Sequence, residues 1–127
     1  MRLEVALALP SDGAFIGPVR DAVGSLLATA GAPAEAVADL QLILGEACAN
    51  ALRHAHVADY RVDVEAGEHG CVMRVTDRGR GTRPGPEAPP DPLDERGRGL
   101  LLIRALADEA EIDGSDGGTV VTVTKSW

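Results

Sequence analysis

Two helix-length runs stand back to back between residues 15 and 55, strands are expected before and after them, and a hairpin occupies the middle of the chain. This grouping restricts the fold more than any other feature. A doubly wound parallel sheet needs strands and helices to alternate, whereas clustered helices between runs of strands suit a two-layer α/β sandwich. The expected architecture is a mixed, mainly antiparallel sheet with helices on one face. Leu3, Val5, Leu7 and Leu9 alternate with Arg2, Glu4, Ala6 and Ala8, the two-residue period of a half-buried strand that Pro10 ends. After the Ser11-Asp12-Gly13 turn, Phe15, Ile16, Val19, Val23, Leu26 and Leu27 recur at helical spacing, and Gly31 with Pro33 closes that helix. A longer helix is expected from about residue 33 to 55, with Pro33 acceptable in its first turn and Glu35 near its positive end. Residues 61–65 and 71–76 read as an antiparallel hairpin around a Gly67 to Gly70 turn. Prolines at 84, 86, 89, 90 and 92 exclude a helix or central strand from 82–96, which is expected to be a surface loop. A short apolar helix over 99–108 and strands over 110–113 and 119–125 complete the expectation.

A chain of 127 residues fits one domain, so residues 1–127 are expected to share one core. With one Phe, one Tyr and one Trp, that core must be filled by Leu, Val, Ile and Ala, and no aromatic platform exists for stacking bases. The formal net charge of −8 would repel a phosphate backbone, so no direct nucleic-acid contact is expected. A protein partner or a metal-escorted small anion fits that charge better. Cys48 and Cys71 lie far apart without a CxxC pattern and read as buried thiols in a reducing compartment. The first ten residues turn polar too soon for a signal peptide, and no apolar run approaches the roughly 18 residues of a membrane span. A cytoplasmic location without membrane contact is therefore expected.

Three segments carry possible chemistry. Glu46 and Asn50 are four apart on the long helix, hence one turn apart on one face, with His54 a turn further. The stripe borders the apolar positions Leu40, Leu44, Ala47 and Ala51; spacing alone also fits a solvated face with i,i+4 contacts. Asp77-Arg78-Gly79-Arg80-Gly81 follows a strand, so a carboxylate is delivered at the strand end and glycines then permit positive φ and close ligand approach. Such a carboxylate can accept from an exocyclic amine, although DxGxG also occurs in ordinary hairpins. Gly97-Arg98-Gly99 opens the apolar helix, whose free N–H groups and dipole favour a phosphate. A Pro-rich loop precedes these glycines and Leu102 takes the third glycine position, which excludes the Rossmann pattern, and no Gly-Lys-Ser or Gly-Lys-Thr supports a P-loop.

In their order these segments resemble the GHKL superfamily, the Bergerat-fold ATPases that include gyrase, histidine kinases and the anti-sigma-factor serine kinases. Glu46 to His54 matches the N box, Asp77 to Gly81 the first glycine box, Arg96 to Gly99 the second, and Gly118-Thr119 the final Gly-Thr. The chain is most similar to the anti-sigma-factor serine kinases. The resemblance implies ATP and Mg²⁺ as cofactors, with Asn50 on Mg²⁺, Asp77 on the adenine amine, Thr119 on adenine through water, and Gly79, Gly81, Gly97 and Gly99 around the nucleotide. It implies Glu46 as general base and Arg96 on the γ-phosphate as the catalytic pair. His54 matches a family His, yet at the end of its helix it also suits a cap on backbone carbonyls. The implied activity is transfer of phosphate to a Ser or Thr of a STAS-type anti-sigma-factor antagonist, with sequestration of a sigma factor by a homodimer. The first helix would be the dimer or partner surface, though its apolar stripe also suits packing on the sheet. Residues 82–96 would be the flexible lid, shorter and richer in proline than usual, and Ala55-His56 departs from the family's Gly or aromatic. A non-catalytic ATP-gated protein-binding regulator is the alternative. A histidine kinase fits less well, because no phosphoacceptor hairpin is recognised and His54 and His56 fall in or beside the nucleotide motif.

Overall fold

The computed structural model describes residues 1–54, 59–78, 95–115 and 118–127. Its strands and helices are β1 (Leu3–Pro10), α1 (Ile16–Thr29), α2 (Ala34–His54), β2 (Asp59–Ala66), β3 (Gly70–Asp77), α3 (Glu95–Leu106), β4 (Glu109–Ser115) and β5 (Gly118–Ser126). A 3₁₀ turn at Gly13–Phe15 leads into α1, and Asp12 starts it by accepting a 2.9 Å hydrogen bond from the Ala14 amide. The five strands form one sheet in the order β1-β2-β3-β5-β4, antiparallel at every described pairing, including the two neighbours that are not consecutive in the chain.

Alternation along the strands decides where the helices go. Leu9 on β1, Tyr60, Val62 and Val64 on β2, Met73 and Val75 on β3, and Val121 and Val123 on β5 are all buried on one side. They share a core with Val19, Val23 and Leu27 of α1, with Leu40, Ile43, Leu44, Ala47 and Cys48 of α2, and with Ile103 of α3. The helices therefore cover one face and leave the other open, as a two-layer sandwich requires. Helix α2 is central, packing on both α1 and α3 and on β3 and β5. Its seam with α1 is close because Gly24 leaves room for Gln41, whose Nε2 donates to the Arg20 carbonyl at 3.0 Å while Arg20 Nε donates to the Gln41 carbonyl at 3.1 Å.

Cys48 and Cys71 are free and buried, and burial pushes both thiols up to about 11. The Tyr60 hydroxyl is raised for the same first reason, loss of water around the charged form.

The largest boundary difference from expectation is at the start of the third helix, where the expected loop over 82–96 also gives way to helix at 95 and 96. Helix α3 begins at Glu95, so Arg96-Gly97-Arg98-Gly99 forms its first turns instead of preceding it. Glycine lowers helix propensity by about 1 kcal/mol per residue, which is why this stretch reads as loop from sequence. Packing of α3 on α2 supplies what local propensity lacks.

Candidate nucleotide site

Antiparallel register builds one side of the site. Leu9, Tyr60, Asp77, Thr119 and Gly114 are Cα partners in succession, a single row across the sheet. Asp77 ends β3 and Thr119 nearly begins β5, so residues far apart in sequence become direct neighbours facing the helices. Asp77 is 3% exposed and Thr119 6%. Gly118 makes this pairing possible: its φ is +138°, and a Cβ there would collide with the Asp77 carbonyl oxygen. Gly118→Ala is expected to destabilise the protein by about 2 kcal/mol or more, through strained φ combined with that collision. A thermal unfolding midpoint equal to that of the unsubstituted protein would contradict it.

Helix α2 builds the other side. Glu46 and Asn50 lie one turn apart; Glu46 is half-buried and Asn50 is 5% exposed. Asn50 Oδ1 is buried and has no hydrogen-bond partner. Leaving such an oxygen unsatisfied costs about 1–3 kcal/mol, so it is suited to a donor or a hard cation that arrives with a ligand. Gly99 of α3 lies directly against Glu46, since a Cβ on Gly99 would sit 2.7 Å from Glu46 Oε2. The second glycine box and the N box thus meet at a carboxylate, with no side chain between them.

Asn50, Asp77 and Thr119 are the buried polar or charged side chains among the described residues, apart from Tyr60 and the cysteines. All three were marked by sequence. The structure joins Glu46 to Gly99 and Asp77 to Thr119, and α2 packs against the two strands that carry the second pair. Gly97 lies in the first turns of α3. The side chains of Arg96 and His54 lie outside the described residues, as do Gly79, Gly81, Ala55, His56 and residues 82–94 of the expected lid. Among the described residues no group of acidic, His and Cys side chains forms a metal centre by itself. Gly118 and Lys125, discussed below, were not singled out for these contacts; an inward Lys in the pattern Thr119, Val121, Val123, Lys125 was the available signal.

The sequence profile of the histidine kinase-like ATPase domain matches residues 9–125. The chain belongs to that family. Within it, a serine-protein kinase RsbW of Bacillus licheniformis is 28% identical over 130 residues, covering 91% of this chain and 81% of the relative. The serine-protein kinase RsbW of Bacillus subtilis strain 168 is also 28% identical, with the same coverage. Among solved structures, the RsbU and RsbW domains of Rv1364c from Mycobacterium tuberculosis align with a TM-score of 0.75 at 26% identity, over 97% of this chain and 32% of that one. A histidine kinase domain from Erythrobacter litoralis shares the fold, with a TM-score of 0.51 at 20% identity, over 92% of this chain and 61% of that one. A family of histidine kinase-like ATPases uses ATP, and in this member Asp77 and Thr119 are buried side by side on the sheet.

Asp77→Asn tests the adenine role that the resemblance implies for Asp77. An amide can donate where a carboxylate only accepts, so the variant is expected to lose its preference for adenine over guanine nucleotides. Equal discrimination by both proteins in a competition titration would remove Asp77 from the base site.

Proposed function

We propose that this chain is an ATP-dependent serine/threonine protein kinase that phosphorylates an anti-sigma-factor antagonist and holds a sigma factor inactive. The observation that carries the proposal is the half-buried Glu46 carboxylate against the bare backbone of Gly99, one helical turn from the buried, unpaired Asn50 oxygen. The names of the similar kinases support it.

In this proposal Asn50 would hold Mg²⁺ through Oδ1, and the ion would supply charge neutralisation on the phosphates. Asp77 would accept from the adenine amine, and Thr119 would reach adenine through water. The glycines at 79, 81, 97 and 99 would let backbone lie against the nucleotide. Glu46 would take the proton of the acceptor hydroxyl while the hydroxyl oxygen bonds to the γ-phosphorus and the bond from that phosphorus to the β-phosphate oxygen breaks, leaving ADP. Arg96 would meet the γ-phosphate. Such transfer rests on positioning and electrostatics more than on covalent chemistry, and a half-buried base touching a glycine backbone can be approached by a hydroxyl. The protein substrate would be a STAS-type antagonist. Phe15 and Leu26, 42% and 39% exposed on and just before α1, leave an apolar stripe for a homodimer or sigma-factor contact. No described helix is long and apolar enough to cross a membrane, and a cytoplasmic setting is part of the proposal.

Incubation with labelled ATP, Mg²⁺ and candidate serine-bearing antagonists tests it. Label on an antagonist serine is the expected result. An antagonist retained only with ATP present, yet never labelled, would replace the kinase with a nucleotide-gated binder.

A further inference from the structure

The α2–α3 pair is fixed at two points. At one, Gly99 lies on Glu46. At the other, Lys125 of β5 donates from Nζ to the Leu106 carbonyl at 2.6 Å and pairs with Asp39 Oδ2 of α2 at 3.1 Å. Asp39 and Glu46 are seven residues apart on α2, and Gly99 and Leu106 are seven apart on α3. The helices therefore run antiparallel and in step, each spanning about 10 Å between the two points. Lys125 and Asp39 side chains are 17% and 23% exposed, so the bridge is held mostly out of water. Asp108, just beyond α3, reinforces the same end: its amide donates to the Thr124 carbonyl at 2.9 Å, and its carboxylate accepts from the Ser126 amide.

We infer that the Asp39–Lys125–Leu106 bridge is a positioning device that sets α3 along α2 and thereby sets the Gly99 backbone against the Glu46 carboxylate. Lys125 satisfies a carbonyl at the end of α3, where no intrahelical donor remains and the dipole favours a cation. Because Asp39 anchors the same ammonium to α2, the carbonyl is tied to the helix that carries Glu46. The inference rests on the proposed role of Glu46, and it adds a residue at the far end of the helix pair from Glu46 and Gly99.

Lys125→Met keeps the stem and removes both polar contacts. Transfer turnover is expected to fall roughly ten- to a hundredfold, the effect of misplacing a reacting group by about 1 Å, while the ATP dissociation constant stays within a few-fold. Lys125→Arg, which can still bridge, is expected to recover most of the turnover. Placed on a Glu46→Gln background, Lys125→Met is expected to add little, since both changes act on the same carboxylate. Unchanged turnover, or an equal loss on both backgrounds, would overturn the inference. Should Glu46→Gln alone leave transfer intact, the role of Glu46 falls instead. The bridge is then judged by amide hydrogen exchange over residues 99–103: faster exchange in Lys125→Met supports it, and unchanged exchange overturns it.

Discussion

Glu46→Gln should lower phosphoryl transfer by roughly 10²–10⁴, the usual contribution of a general base, while ATP affinity stays within a few-fold. Glutamine has nearly the shape of glutamate, so α2 and the contact with Gly99 should survive. What disappears is the proposed proton acceptor. The carboxylate is half-buried, and in the proposed role its loss is expected in turnover and not in nucleotide affinity. Single-turnover rates with ATP binding measured in parallel give the separation. A variant that transfers phosphate at the wild-type rate would leave Glu46 as a helix-surface residue beside a glycine.

Asn50→Ala should remove the Mg²⁺-dependent part of ATP affinity. The oxygen being deleted is buried and bonded to nothing in the fold, so its removal breaks no internal hydrogen bond of that atom. An unpaired buried acceptor costs about 1–3 kcal/mol, and its deletion offsets part of the packing lost with the three heavy atoms of the carboxamide. The thermal midpoint should therefore change little while binding changes greatly, the reverse of the usual outcome for a side chain that is 5% exposed. Calorimetry with and without Mg²⁺ checks this. An undiminished Mg²⁺-dependent gain in affinity would mean that another group holds the cation.

Much of the fold was legible because the strands and helices carry clean periods. Leu3 to Leu9 alternates with polar and small residues and becomes β1, and the expected hairpin strands lengthen by one or two residues at each end into β2 and β3. Pro33, expected in the first turn, stands immediately before α2. The start of α3 was not legible, since Arg96-Gly97-Arg98-Gly99 has the composition of a loop and becomes helical through contact with α2. The site was legible as separate residues and not as an arrangement. Nothing in the spacing of Asp77 and Thr119 says that they pair; that follows from inserting β5 between β3 and β4. Nor does local sequence say that Gly118 must pass close to the Asp77 backbone, or that Lys125 spans two helices, because these contacts depend on which strand lies beside which.

The two buried thiols make the molecule a gauge of its own breathing. With both held near 11, only about one thiol in 10⁴ is ionised at neutral pH, and the thiolate is the form that alkylating reagents attack. Both are also buried, so reagent reaches them as the chain opens. Cys48 lies on the buried face of α2, two residues from Asn50, whereas Cys71 lies in β3 at the opposite end from Asp77. The ratio of their labelling rates compares loosening of the helical layer with fraying of the sheet, without any probe being added to the sequence.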